Sequence, residues 1–407
     1  MKKNIFSLVV GGLLSVTVLL SFFSGIEAWN FFKLTDFPIV LCFIVFFVAL
    51  LFGESLKSVW IVYLLFSYIS VFIALWVPVL VSGNNVILSL YWGKMSEYFF
   101  LLLVGMWLGN FIDKDRLFLG SHKALFLSVF LWSFFYLIYK IFLGEWQNLG
   151  RLAYFGVDNG GQSLGIYIGL FFPILALTLA EKGKMFFSFV VILLCGTIVL
   201  ASGSRAGVLA YILSFLYLVI LVRGGFLKGT TWLAPLMVFG IFLFGEKIYK
   251  NISVSRKIFS DWTQQKSTTK RIDLIFDKGG DFLLEPLSPL FGIGMGGIRL
   301  MDSLFFHILF EVGILGLTLL GTIFGVFLYR FLLTNKVFRE EGEADWKVGF
   351  SILLLFNVLI MSGISEALIT DRLAIPVILW LGFYFGYFSN VLAFKGQRGS
   401  GPSELCQ

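Results

Sequence analysis

Apolar segments separated by short polar turns run through most of the chain. A helix needs about 20 apolar residues to span a bilayer, and these segments lack the two-residue alternation that is typical of barrel strands. The pattern therefore predicts an all-α polytopic membrane protein in which residues 1–407 form a single transmembrane domain. The predicted spans, about twelve in number, lie near residues 5–25, 37–53, 58–81, 97–112, 124–143, 163–181, 185–201, 206–222, 231–247, 303–329, 348–365 and 373–394.

One long polar interval, residues 248–302, interrupts this pattern. Its TQQKSTTK stretch is typical of a polar loop, and RIDLIFDKGGDFLLEPL predicts a short amphipathic helix with a Gly-Gly break. Such a helix would lie flat on the outer leaflet of the membrane or cover the bundle. At the other end of the chain, the polar segment 396–407 is predicted to be a disordered cytoplasmic tail.

Charge indicates the orientation. Charged residues make up only 14% of the chain, yet the net charge is +7. If both termini are cytoplasmic and the first apolar run is an uncleaved span, most basic residues of the short loops fall on the cytoplasmic side. The interval 248–302 is then periplasmic. His122 and Lys123 are interpreted as part of this orientation signal.

Several classes of chemistry lack their usual signatures. No aromatic and basic patch suggests nucleic acid, and no glycine loop or lysine suggests a nucleotide. The three cysteines, Cys42, Cys195 and Cys406, are scattered and predict neither a metal site nor a disulfide framework. We therefore expect no cofactor and no metal.

Five arginines fall on the predicted outer side, where basic residues are disfavoured: Arg151, Arg205, Arg271, Arg299 and Arg372. Each one alone is explained by contact with lipid phosphate. Together they favour a shared anionic ligand, because the planar guanidinium donates two parallel hydrogen bonds to phosphate.

Four motifs surround these arginines. They are GRLAYFGVDNGGQSLG (150–165), ASGSRAGVLA (201–210), KRIDLIFDKGGDFLLEPLSPLFGIGMGG (270–297) and MDSLFFHILFEVGILGL (301–317). In the second motif, glycines let the backbone and Arg205 approach a ligand closely, and the following helix offers free N–H groups to an anion. The alternative is a simple hairpin turn between two spans.

In this order, and between spans of this kind, the motifs resemble the O-antigen ligase and O-antigen polymerase superfamily of integral membrane glycosyltransferases. The resemblance covers roughly residues 150–390, and GISEALITDRLAIPV (363–377) looks like the polar outer end of a late span in that family. It implies a GT-C-like helical bundle in the inner membrane that transfers undecaprenyl-pyrophosphate-linked glycans at the periplasmic face. By the same resemblance, Arg205 and Arg271 hold the pyrophosphate and Arg151 contributes at the entrance.

The resemblance favours a polymerase. Ligases of this family carry His-Asn ahead of the Glu and Gly-Ile-Leu-Gly, where this chain has Asp302 and Ser303. The expected partners are the bilayer, an undecaprenyl-pyrophosphate-linked oligosaccharide, a chain-length regulator and a flippase. Two alternatives stay open: a ligase that transfers finished glycan to lipid A-core, and a transporter or flippase, which would carry charges at mid-membrane depth and broken helices in paired halves.

The transfer reaction needs a base near the attacking sugar hydroxyl and positive charge near the departing pyrophosphate. We assign Asp302 as the base or the acceptor-orienting group, followed by Glu366 and then His307. Asp302 can equally be a helix N-cap, and His307 can be an interhelical hydrogen-bonding residue. Glu311, deeper in the span, is either functional or a structural hydrogen-bonding residue.

Overall fold

The computed structural model describes residues 2–21, 27–29, 32–33, 36–51, 68–69, 88–142, 160–202, 204–221, 288–292, 304–340, 345–364 and 371–399. In order, the elements are α1 (Lys2–Leu20), β1 (Glu27–Trp29), β2 (Phe32–Lys33), α2 (Asp36–Leu51), α3 (Leu88–Gly109), α4 (Asp115–Phe142), α5 (Gly160–Glu181), α6 (Met185–Ala201), α7 (Arg205–Leu221), α8 (Ser288–Phe291), α9 (Leu304–Glu340), α10 (Trp346–Ile364) and α11 (Asp371–Gly399). A short 3₁₀ turn, Ile112–Lys114, precedes α4.

The predicted apolar windows coincide with helices wherever the structure describes them. The windows 58–81 and 231–247 lie outside the described residues, apart from Tyr68 and Ile69. Two details differ from the expectation. A two-stranded antiparallel sheet, β1 with β2, follows α1. The helix α11 continues to Gly399, so the first residues of the predicted disordered tail are helical.

Four of the described helical segments are long and apolar enough to cross a bilayer: Asp115–Lys140, Ser163–Glu181, Ile308–Glu340 and Leu373–Ala393. Six further apolar helices are shorter. The prediction of a helical membrane protein is therefore supported in its coarse form, and the architecture is compatible with a chain that crosses the membrane several times.

The chain divides into two compact units. The first comprises Met1–His122, Asp277–Leu355 and Ala374–Gln407, and the second comprises Lys123–Phe276 and Phe356–Leu373. Within the first unit, α3 and α11 cross at two Gly-x-x-x-Gly segments, Gly105 with Gly109 and Gly382 with Gly386. A Cβ on Gly109 would overlap the Phe383 carbonyl, and one on Gly386 would overlap the Met106 carbonyl. Small residues allow the two backbones to touch, which is how helices associate in lipid.

An ion-pair cluster in the first unit joins the starts of α4 and α10 to the middle of α11. The ammonium of Lys347, at the start of α10, lies 2.8 Å from the Asp115 carboxylate of α4 and 3.6 Å from Asp345. The hydroxyl of Tyr384, on α11, donates to the other Asp115 oxygen at 2.9 Å. Asp345 also caps α10, since its carboxylate accepts the Lys347 backbone N–H at 2.9 Å. The Lys347 ammonium lies 5.2 Å from the Tyr387 ring centroid.

Replacing Lys347 by methionine should destabilise this unit by about 2–3 kcal/mol, because it leaves two largely buried carboxylates without the cation that both contact. The expected observation is a clear fall in the unfolding temperature of the purified chain in detergent. An unchanged unfolding temperature would mean that the cluster contributes nothing.

The Asp345→Asn variant is the matched control for Lys347→Met, and it should remain close to the wild type in stability. Burial raises the pKa of the Asp345 carboxyl above its usual 3.8, although the Lys347 ammonium opposes the shift. The folded chain therefore holds the proton of the Asp345 carboxyl more tightly than the unfolded chain does. As a result, the free energy of unfolding falls as the pH rises from 3.8 through the raised pKa. The asparagine variant should lose this pH dependence and unfold near the wild-type temperature at neutral pH.

In the second unit, α5 packs against α6 and α7. The hydroxyl of Tyr211 donates to the Ile192 carbonyl at 2.8 Å, and Ser188 donates to the Ala176 carbonyl at 2.8 Å. At the middle of α7, Ser214 accepts a hydrogen bond at 3.1 Å from the side-chain amide of Asn357. These bonds join helices whose contact surfaces are otherwise apolar, as interhelical hydrogen bonds do in membranes.

Candidate functional site

The structure describes the backbone of three predicted site residues. Arg205 is the first residue of α7, Arg372 is the second residue of α11, and His307 lies in the first turn of α9. The other predicted site residues lie outside the described residues: Asp302, Glu366, Arg151, Arg271 and Arg299.

The first and second motifs meet where α5 and α7 cross. A Cβ on Gly207 would lie 2.5 Å from the Gly165 carbonyl carbon, and a Cβ on Gly165 would overlap the Ser202 hydroxyl. One turn further, a Cβ on Gly169 would lie 2.6 Å from the Gly207 carbonyl oxygen. Gly207, two residues after Arg205, therefore brings the backbones of α5 and α7 together.

Serines hold the turn in which Arg205 lies. The hydroxyl of Ser204 accepts the backbone N–H of Gly207 at 3.0 Å, which makes Ser204 the N-cap of α7 and Arg205 its first residue. The Ser202 hydroxyl donates to the Val199 carbonyl at 2.6 Å and accepts the Ser204 N–H at 3.3 Å. One helix therefore ends at Ala201 and the next begins at Arg205, as the motif ASGSRAG predicted, and the serine hydroxyls bond the backbone on both sides of the turn.

The third and fourth motifs also meet. The short helix α8 and Gly292, from the Pro-Leu-x-Gly run, lie against a break in α9. Gly313 interrupts α9 with φ 73° and ψ −170°, and Gly292 has φ 82°. A Cβ on Gly292 would overlap the Glu311 carbonyl, and one on Gly313 would overlap the Leu290 carbonyl. We call this backbone contact the Gly292–Gly313 junction.

Glu311 lies within this junction. The residue is 1% exposed, and its carbonyl faces Gly292. An ionisable residue buried inside a membrane helix marks a candidate functional site, especially beside irregular backbone. The sequence pattern predicted the span that contains Glu311 but gave no sign of the break.

Alanine at Gly313 should disrupt the junction, because the residue has a left-handed φ and a Cβ would strike the Leu290 carbonyl. We expect a loss of about 2–4 kcal/mol, measured as a lower unfolding temperature in detergent. Gly325→Ala is the control on the same helix, since no atom of the described residues lies within 4 Å of a Cβ there. Equal unfolding temperatures for the two variants would contradict the assigned contact.

His122 corrects one interpretation of the sequence. It is 0% exposed, with Nδ1 at 3.1 Å from the Phe118 carbonyl oxygen and Nε2 at 3.2 Å from the Pro376 carbonyl oxygen. It therefore joins α4 to α11 inside the first unit, and it is not an exposed orientation signal. The signal that sequence reasoning missed was its spacing: seven residues after Asp115, it lies on the same face of α4.

Within the described ranges, no group of three or more His, Cys, Asp and Glu side chains is arranged to hold a metal ion. Comparison of the sequence with protein-family models and with curated proteins found no match.

Proposed function

We propose that this chain is a polysaccharide polymerase of the inner membrane. It would transfer an undecaprenyl-pyrophosphate-linked glycan onto the next lipid-linked repeat unit at the periplasmic face. The observation that carries the proposal is the pairing of the four motifs. The described parts of the first and second motifs contact each other backbone to backbone at Gly165 and Gly207, and those of the third and fourth motifs do so around Gly292 and Gly313.

The chemistry assigns roles to the motif residues. Arg205, fixed at the first position of α7, would bind the donor pyrophosphate together with the N–H groups of that helix. Arg271, Arg299, Arg151 and Arg372 would complete the anion site. Because negative charge grows on the pyrophosphate as it leaves, preorganised arginines lower the barrier. The acceptor hydroxyl needs a base, and the candidates are Asp302, His307 and Glu366.

The same proposal includes the membrane arrangement. About twelve spans would place both termini in the cytoplasm and the interval 248–302 in the periplasm. The ion-pair cluster around Lys347 would then lie at the cytoplasmic ends of α4 and α10, away from the chemistry. Bilayer lipid, the lipid-linked oligosaccharide, a chain-length regulator and a flippase would be its partners. The reaction would require no metal, because the donor is already activated.

The test is a sugar-stained gel of surface polysaccharide from a strain lacking this chain, beside its parent and a strain complemented with the wild-type gene. A lipid core that carries one repeat unit without a ladder supports the polymerase. A bare core with full-length glycan on the carrier lipid would replace the polymerase with a ligase. Repeat units retained on the cytoplasmic face would indicate a flippase. Both of these outcomes, and an unchanged ladder, overturn the proposal.

A further inference from the structure

Arg330 lies where the apolar part of α9 ends. Residues 312–329 contain no charged side chain, and Arg330 is the first that follows them. From Ile308, where the apolar segment begins, the helix rises by about 33 Å before it reaches Arg330, which is close to the hydrocarbon thickness of a bilayer. Tyr329 is exposed, as tyrosines at the membrane surface commonly are. The spacing therefore places Arg330 at the depth of the lipid headgroups.

The contact between α9 and α11 supports the same depth. The two helices pack through phenylalanines, with Phe331 of α9 against Phe385 and Phe388 of α11. The next residues of α11 are Ser389 and Asn390, and the Asn390 side chain donates to a backbone carbonyl just after the end of α3. Three helices of the first unit therefore change from apolar to polar surroundings at about one level.

The guanidinium of Arg330 is half-buried beside Ser389. Its Nε–H donates to the Ser389 hydroxyl at 3.1 Å, and Nη2 donates to the Ser389 carbonyl at 3.4 Å. Both bonds use one edge of the planar fork. The other edge, formed by Nη1 and the second N–H of Nη2, has the two parallel donors that bind a phosphate. None of the ion pairs among the described residues includes Arg330.

We infer that Arg330 is the centre of a binding site for the phosphate of an anionic phospholipid. A guanidinium partly removed from water is costly unless an anion accepts its hydrogen bonds, and at this depth the available anions are lipid phosphates. Ser389 holds one edge of the fork, so the second edge has a fixed position before the lipid binds. With the membrane arrangement proposed above, the lipid belongs to the cytoplasmic leaflet. The site does not depend on the transfer reaction.

The surface around Arg330 favours a lipid over free phosphate. Tyr329 and Leu332 are exposed large side chains on the neighbouring turns, and acyl chains would cover them. The end of the helix favours an anionic headgroup. Lys336 and Arg339 are exposed there, and only Glu340, at 3.8 Å from Lys336, opposes them. Basic residues at the end of a membrane span attract anionic lipids in this way.

The test measures lipid binding to the purified full-length chain in neutral detergent by native mass spectrometry. Phosphatidylglycerol should bind more tightly than phosphatidylcholine with the same acyl chains. The variant Arg330→Gln should bind phosphatidylglycerol about 10- to 100-fold more weakly, the loss expected for hydrogen bonds between charged groups. Equal affinities of the wild type for the two lipids would overturn the anionic site.

Arg339→Gln is the matched control, because it removes the same charge from an exposed position on the same helix. Its affinity for phosphatidylglycerol should stay near that of the wild type. If the two variants lose affinity equally, the attraction is general and Arg330 is not the centre of a site. Should Arg330→Gln fail to fold, Arg330→Lys takes its place, since it keeps the charge but loses the two parallel donors. Wild-type affinity in Arg330→Lys would overturn the site.

Inorganic phosphate distinguishes the two sources of the anion. Added without lipid, it should leave the unfolding temperature of the wild type equal to that of Arg330→Lys. If inorganic phosphate alone stabilises the wild type and not the lysine variant, the site takes free phosphate and the lipid assignment is wrong. None of these measurements uses polysaccharide. A chain that binds phosphatidylglycerol through Arg330 but elongates no glycan would therefore end the proposed function and leave the lipid site standing.

Discussion

Replacing Gly386 by leucine should prevent the chain from accumulating as a folded protein. The residue lies where α11 crosses α3, and even a Cβ would overlap the carbonyl of Met106. The obstacle is backbone and cannot rotate away. Overpacking costs about 1–3 kcal/mol where side chains can adjust, so a larger loss is expected here. Size-exclusion chromatography of the detergent-extracted, fluorescently tagged chain should show aggregate in place of a monodisperse peak.

The control for this experiment is Gly321→Leu. Gly321 lies inside α9, and in the part of the chain that the structure describes nothing lies within 4 Å of a Cβ at that position. Leucine has a higher helix propensity than glycine, which is roughly 0.8–1 kcal/mol less favourable than alanine in a helix, so this variant should be as stable as the wild type or more stable. If Gly386→Leu elutes as the control does, the close contact assigned to α3 and α11 is wrong. Gly109→Leu, on the facing helix, should behave as Gly386→Leu does because its Cβ would overlap the Phe383 carbonyl.

The second large effect is functional. Arg205→Ala should abolish long-chain polysaccharide while the chain still accumulates in the membrane. The α7 cap comes from Ser204 and the crossing with α5 comes from Gly207, so neither needs the arginine side chain. Removing a preorganised group that stabilises developing charge costs about 10²–10³ in rate. The gel should therefore show single repeat units and no ladder, with normal amounts of protein by immunoblot.

Three further variants sharpen this result. Arg205→Lys keeps the positive charge but loses the two parallel donors, so it should restore a short and faint ladder. Arg339→Ala removes an exposed arginine at the far end of α9 and should leave the ladder intact. Arg271→Ala should match Arg205→Ala if the two share one pyrophosphate. Normal polysaccharide chain lengths in the Arg205→Ala variant would show that Arg205 does not belong to the anion site.

The positions of the helices could be predicted because a membrane span depends on a local run of apolar residues and not on contacts with distant segments. Enough consecutive apolar residues force a helix, since lipid offers no partner for free N–H and C=O groups. The windows near 163–181 and 185–201 accordingly match α5 and α6 closely. The turn at Arg205 was predictable for a similar reason, because glycine and serine end one helix and begin the next.

Contacts between distant segments could not be predicted in this way. The Gly-x-x-x-Gly spacing of 105 and 109 is visible in the sequence, but only the fold shows that 382 and 386 face it. Asp115, Lys347 and Tyr384 come from three separate segments, so their cluster has no local signature. The break at Gly313 escaped prediction because glycine is also common inside unbroken membrane helices.

The crossing of α3 and α11 also constrains when the protein can mature. Asn390 donates to the Asn110 carbonyl at 2.7 Å across 280 residues of sequence, close to the glycine contact. At a synthesis rate of about 5–20 residues per second, tens of seconds pass between the synthesis of α3 and that of α11. During that time the glycine face of α3 lacks its native partner and is available to chaperones and membrane proteases. A nascent chain stopped before α11 should therefore be degraded quickly.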